Sequence, residues 1–98
     1  MSFKEKVYSI TNKIPKGKVA TYKQIAVLAG FPNASRAIGV FMKTNPNAPL
    51  TPCHRVVGSD GSLTGYSGGN GLSAKRKMLL KEGVFFKNNK VDLNLSQW

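Results

Sequence analysis

Cys53 and His54 stand side by side in Pro52-Cys53-His54-Arg55-Val56-Val57, and each is the sole residue of its type in the chain. Any thiol chemistry this protein performs must therefore happen here. A cysteine is a strong nucleophile only as the thiolate, which needs a base or a positive field to form below an ordinary pKa of about 8.5. His54 and Arg55 bring one of each within two residues. Without such neighbours a lone cysteine reads as a small buried hydrophobe. Adjacent side chains of an extended segment point to opposite faces, so His54 serves the thiol only if the chain turns sharply after Pro52 or a water bridges the two. A charged imidazole would also need a carboxylate to orient it, and Glu5, Asp60, Glu82 and Asp92 are the acids available. One cysteine excludes an internal disulfide, leaves the chain short of the ligands of a structural zinc site, and suits a reducing cytosol.

The elements that must position this pair can be read outward from it. Upstream, Thr44–Pro52 has prolines at 46, 49 and 52, which excludes a helix and predicts a stiff, extended loop delivering Cys53. Downstream, Val56-Val57, the turn Gly58-Ser59-Asp60-Gly61 and Leu63 read as a short hairpin. Four glycines in residues 65–71 then make a flexible loop that could close over a ligand. Ser73 is placed to cap a last helix running through Lys81 to Gly83, and residues 84–91 suggest a terminal hairpin.

Toward the N-terminus, Ser2 with Glu5 forms a capping pattern, and Phe3, Val7, Ile10 and Ile14 recur at helical spacing, predicting a first helix over Phe3–Asn12. Ile14-Pro15-Lys16-Gly17 stops it, and Val19-Ala20 is a short extended piece. Thr21 with Gln24 repeats the capping pattern and opens a second helix over Tyr22–Ala29. Asn33 can cap a third that presents Ala37, Ile38, Phe41 and Met42 on one side. Two short helices joined by a Gly-containing turn resemble a helix-turn-helix, the second carrying Arg36 and Lys43 with the small Ala34, Ser35 and Gly39 that permit close approach to a groove. Two core helices meeting at a corner would look the same, and composition favours the DNA reading.

That composition is strongly basic: 15 Lys and Arg against 4 acids give a net charge of +11 over 98 residues. A polyanionic partner is the natural inference, with solubility or acidic lipid as the alternatives. The length suits one domain, whose function must use a surface groove or shallow pocket. No apolar run is long enough for a membrane span and the N-terminus lacks a signal-peptide core, so the expected location is the cytoplasm, nucleoid or nucleus.

Taken together, Pro52-Cys53-His54-Arg55-Val56, the upstream Asn45-Pro46, the downstream Gly65-Tyr66-Ser67-Gly68-Gly69, Lys75, Leu79-Leu80 and Glu82-Gly83 resemble the C-terminal domain of the O6-alkylguanine-DNA alkyltransferases. Val19-Ala20-Thr21-Tyr22 and Ser35-Arg36-Ala37-Ile38-Gly39 match that family's helix-turn-helix, and the likeness runs from about residue 3 to 86. The resemblance implies a mainly α, winged-helix-like fold with a small β-hairpin or wing, in a single domain over 1–98. It implies DNA repair by a single irreversible transfer of an alkyl group from O6 of a flipped guanine to Cys53, without cofactor or metal, by a monomer acting on double-stranded DNA. His54 would be the base acting through a water, and Glu82 the carboxylate that orients and charges it. Tyr22 would donate a proton to the guanine ring and contact phosphate, Arg36 would fill the vacated stack, and Asn45 would brace the turn before the active-site loop. Met42, Val56, Tyr66 and Ser67 would line the base pocket.

The N-terminal domain usual in full-length members is expected to be absent here. The related alkyltransferase-like proteins are similarly short, carry tryptophan where this chain has Cys53, and bind lesions to recruit excision repair without reacting. Cys53 argues for transfer and chain length for the sensor, while a sequence-specific transcription factor would rest on charge and helices alone. Thr51, where an aliphatic residue is common, and a longer Gly68–Ser73 loop bear on which alkyl groups fit.

Overall fold

A computed structural model describes residues 2–44, 51–63 and 72–98. The helix signals of the N-terminal half act as expected. Helix α1 spans Phe3–Thr11 with Ser2 Oγ accepting the Glu5 amide, and the two-residue strand β1 (Ala20–Thr21) leads into α2 (Tyr22–Leu28). Thr21 and Gln24 form the full reciprocal capping box. Both helices end one residue before the expected limit, at Thr11 and Leu28.

Helix α3 (Ser35–Lys43) departs at its start: Ala34, with no side-chain cap, holds the position expected for Asn33. The turn closes on backbone instead, the Ala34 amide donating to Phe31 O at 3.0 Å, which leaves Asn33 exposed. Helix α3 buries Ile38 and Met42, with Phe41 half-buried beside them. Phe3 of α1 meets Phe31 and Phe41 edge-on, at 5.0 and 5.8 Å between ring centroids, and Tyr8 donates its hydroxyl to Phe41 O at 2.9 Å. These contacts fix α1 across the ends of α2 and α3.

After Pro52 the chain makes a single 3-10 turn, Cys53–Arg55, and enters β2 (Val56–Val57). The hairpin expected between Val56-Val57 and Leu63 does not form. Strand β2 instead pairs in parallel with β1, Ala20 opposite Val56 and Thr21 opposite Val57. Both valines of β2 are buried, a requirement met by a parallel pair covered on both faces and not by a half-exposed hairpin. Residues 58–62 close on themselves, the Gly58 amide donating to Ser62 O at 2.9 Å.

This small sheet divides the interior. Ala20 and Val56 face a core with Val7, Ile25, Ile38, Met42 and Cys53, whereas Val19 and Val57 face a second one with Leu79, Val84 and Val91. The second core lies under α4 (Leu72–Lys81) and the antiparallel hairpin of β3 (Phe86–Lys87) and β4 (Lys90–Val91). Ser73 falls inside the first turn of α4, which begins at Leu72, one residue ahead of the expected cap. The terminal hairpin turns on Asn88 and Asn89, both left-handed at φ 54° and 68°, a conformation asparagine tolerates better than most residues.

Helix α4 is not the last: Asp92 caps a four-residue helix α5 (Leu93–Ser96), too short to show as a periodic pattern. The segment after α5 returns to β1, where Val19 donates to Ser96 O and Trp98 donates to Val19 O at 2.8 and 2.7 Å. Gln97 and Trp98 also bond the side chain of Gln24, fastening the start of α2. The described molecule is thus mainly helical, with two small two-stranded sheets.

Candidate active site and nucleic-acid face

The sharp turn that would let His54 serve Cys53 is present. The Cys53 amide donates to Thr51 O at 2.8 Å and the Arg55 amide to Pro52 O at 2.9 Å, so three successive side chains leave one turn in three directions. Cys53 points into the core at 2 % exposure. His54, also 2 % exposed, pairs through Nε2 with Glu82 Oε2 at 3.1 Å. Arg55 clasps the same carboxylate with both prongs, Nε to Oε1 at 2.9 Å and Nη2 to Oε2 at 2.8 Å, and donates Nη1 to Ile14 O at 2.8 Å. Glu82 follows directly on α4, and Gly17, at φ 88°, lies so close beneath it that a Cβ there would stand 3.2 Å from Glu82 O.

With a proton on Nε2 shared toward Glu82, His54 keeps a bare Nδ1, and that atom is buried without a hydrogen-bond partner. Burial lowers the His54 pKa, and the hydrogen bond and charge of Glu82 only partly offset it. Burial thus favours the neutral imidazole, while the Glu82 carboxylate at Nε2 favours the charged form and orients the ring. Burial pushes Glu82 upward, but the hydrogen bonds from Arg55 and His54 outweigh it and hold the carboxyl below its ordinary value. A neutral imidazole with a free lone pair is a proton acceptor, the form a base must have.

Two neighbours of Cys53 were not legible as such. Lys75, 1 % exposed on α4, donates Nζ to Val56 O at 2.6 Å. Burial drives its ammonium down to about 8, the Cys53 charge working the other way. Tyr8 is likewise within electrostatic range of Cys53, with burial as the larger cause of its raised pKa. Lys75 stands four residues before the buried Leu79, on the same face of α4, and that spacing was the one sign in the sequence that it turns inward.

The remaining predicted residues divide between this core and an open groove. Met42 and Val56 are buried in the same cluster as Cys53. Ser35, Arg36, Gly39 and Lys43 of α3 line a groove of about 580 Å³ together with Tyr22, Lys23, Val40 and Ser59. Ala34 is half-buried at the α3 cap and does not line it. Tyr22 belongs to both regions, lining the groove and packing against the Cys53 cluster. The groove carries three cationic side chains and no carboxylate. Asn45, Tyr66 and Ser67 lie outside the described residues, as does the glycine-rich 65–71 segment. Among the described residues no three His, Cys, Asp or Glu side chains gather as metal ligands, and no helix is long and apolar enough to cross a membrane.

Comparison with known proteins bears on the same residues. Residues 2–84 match the family described as 6-O-methylguanine DNA methyltransferase, DNA binding domain. A methylated-DNA--protein-cysteine methyltransferase of Methanosarcina barkeri is 51% identical over 80 residues, which are 82% of this chain and 49% of that protein. One of Candida glabrata is 45% identical over 95% of this chain and 44% of its own length. The chain thus spans about half the length of the curated relatives it matches. Among solved structures, S. pombe Atl1 in complex with damaged DNA containing O6-carboxymethylguanine aligns with a TM-score of 0.86 at 33% identity, covering 98% of this chain and 94% of that one. Mycobacterium tuberculosis OGT in complex with DNA aligns at 0.78 and 41% identity over 85% of this chain and 50% of its own. By sequence over most of its length, and by a fold shared with these DNA-bound proteins, the chain belongs to the 6-O-methylguanine DNA methyltransferase family, through its DNA-binding domain.

Proposed function

We propose that residues 1–98 act as one DNA-binding and active-site domain that removes an alkyl group from O6 of guanine in duplex DNA onto Cys53, as a monomer and without a cofactor. The observation that carries this reading is the turn at Cys53–Arg55, which follows the buried Cys53 with a His54 whose Nε2 pairs with Glu82 and whose Nδ1 has no partner among the described residues. In the reaction the thiol proton passes through a water to His54 Nδ1, and the sulfur forms a bond to the alkyl carbon as the carbon–O6 bond breaks. The electron pair stays on the guanine, and a proton from the Tyr22 hydroxyl neutralises the ring. Lys75, beside Cys53, supplies positive charge where the thiolate forms. The product is a thioether that no ordinary reductant cleaves, so each molecule acts once.

Helices α2 and α3 serve as a helix-turn-helix, with Ser35, Arg36, Gly39 and Lys43 against the duplex and Arg36 taking the space of the flipped base. Extruding a base costs a few kcal/mol of stacking, which an inserted arginine partly restores. Met42 and Val56 form the inner wall of the base site, completed by Tyr66 and Ser67, and Asn45 braces the chain between α3 and the turn.

The test is intact-mass measurement after incubation with duplex DNA containing O6-methylguanine. One added methyl located on Cys53 is expected, and an unchanged mass at excess DNA refutes transfer. A second reading, a protein that binds O6-alkylguanine DNA and recruits excision repair without reacting, draws on the near full-length match to Atl1. Cys53→Ala separates the two, because a sensor protects cells as well with alanine as with cysteine and a transferase does not.

A further inference from the structure

Beyond the α3 groove a second concavity, of about 480 Å³, lies between α4 and the β3–β4 hairpin, lined in part by Ser62, Ser73, Arg76, Asn88, Asn89 and Lys90. Of its two cations, Arg76 is set in place rather than loose. Arg76 rests on the ring of Phe86, its guanidinium carbon 4.7 Å from the ring centroid, and among the described residues no carboxylate or other hydrogen-bond acceptor engages it. Arg55, by contrast, has its guanidinium spent on Glu82 and Ile14 O. A stacked guanidinium has already lost much of its side-chain freedom and keeps its N–H donors for a partner. The surrounding donors are hydroxyls, amides and the Lys90 ammonium. Asp60, the acid bonded to two of these lining residues, is held by Lys90 Nζ at 2.9 Å and by the Ser62 amide at 3.0 Å.

The two grooves share one loop. Ser59 lines the α3 groove and Ser62 lines this one, and three residues of chain span at most about 11 Å. A DNA strand advances about 3.4 Å along the helix axis per phosphate, so at this loop the two linings approach within about three nucleotides or fewer. Arginine, hydroxyl and amide donors are the groups that hold backbone phosphates without reading sequence.

We propose that the α4–hairpin groove is a second phosphate-binding site for the duplex seated on α3, with Arg76 as its anchor; this rests on the duplex-binding part of the function proposed above. It makes the hairpin part of the DNA interface and assigns its turn asparagines as supporting donors.

The experiment measures affinity for a duplex containing O6-methylguanine over a range of salt, using the whole chain and the variants Arg76→Gln, Arg76→Lys and Ser73→Glu. One phosphate contact contributes a slope of about −0.9 in log affinity against log salt, or about eightfold in affinity at 0.1 M referred to 1 M. Arg76→Gln should lose about that much and flatten the slope by about 0.9, while Arg76→Lys should keep most of the slope. Ser73→Glu guards against loss of fold, because Ser73 is exposed in the first turn of α4, where an acid favours the helix. It should weaken DNA binding with an unchanged or higher melting temperature. Wild-type affinity and slope in both Arg76→Gln and Ser73→Glu overturn the proposal and leave the groove to an acidic protein segment. If wild type binds no duplex at all, the function reading has failed; if it binds and is methylated while these variants match it, this inference alone has failed.

Discussion

Glu82 holds two partners at once, and that shared duty governs what its loss does. Arg55 clasps both of its oxygens while His54 touches one, so the carboxylate is fixed before it fixes the imidazole. Glu82→Gln leaves Arg55 with an amide in place of a charge and presents a donor to groups that are themselves donors. We expect it to slow alkyl transfer by at least about 100-fold in single-turnover assays and to destabilise the fold by about 3 kcal/mol in denaturant titration. Full rate with a normal denaturation midpoint would rule out the orienting role. The same residues set an acid limit. The native His54 pKa lies below 6.5, so between that value and its native one the unfolded chain binds a proton that the folded chain does not, and stability falls as pH drops. Glu82, depressed below 4.5, adds stability that is present above 4.5 and lost as pH falls through its lower native value. Melting temperature should therefore decline from about pH 6.5 downward without a maximum in the acid range, a point thermal scans across pH would settle. Cys53 and His54 stood out because each is the sole residue of its type, whereas only the family resemblance singled out Glu82 among four acids. Lys75 was marked only by its place four residues before Leu79, a faint sign in a chain with 12 lysines.

Helix α3 carries the clearest conflict between stability and use. Gly39 lies in its interior, where glycine costs about 1 kcal/mol relative to alanine, and a Cβ there would meet no atom within 4 Å. It also lines the groove beside Arg36 and Tyr22. Gly39→Ala should thus raise stability by about 1 kcal/mol while weakening duplex binding, because the new methyl occupies space that close approach to DNA requires. Tighter binding together with higher stability would remove the groove from the interface. At this scale capping chemistry was a partial signal, holding at Ser2 and Thr21 and failing at Asn33 and Ser73. Ser2, Thr21 and the asparagine pair at 88–89 each set their element, because each acts through bonds or dihedrals a few residues away. The misread strand shows the limit: Val56-Val57 and the following turn look like half a hairpin locally, but the partner of β2 lies 36 residues back, at β1. Parallel pairing across such a distance leaves no local mark, and neither does the four-residue α5.

Across the whole molecule the site and the core are the same object. Cys53 is packed in one cluster with Ile38, Met42 and Val56, so the atom that would receive an alkyl group is also a packing atom. Adding a methyl there overfills a closed interior, and the alkylated protein should be less stable by about 1 to 3 kcal/mol, seen as a lower melting temperature after stoichiometric reaction. An unchanged or higher value would mean that the described packing opens before the thiol reacts. The order in which the molecule can assemble follows from its other long-range tie. Val19 bonds residues 96 and 98, and Gln24 bonds 97 and 98, so the opening of α2 is clasped by residues more than 70 positions later in sequence. A ribosome adds about 5 to 20 residues per second, and α1 to α3 leave it well before that clasp exists. The helices that would face DNA are therefore made before the segment that locks them, and a nascent chain holds α2 rigidly only once residues 96–98 have been added.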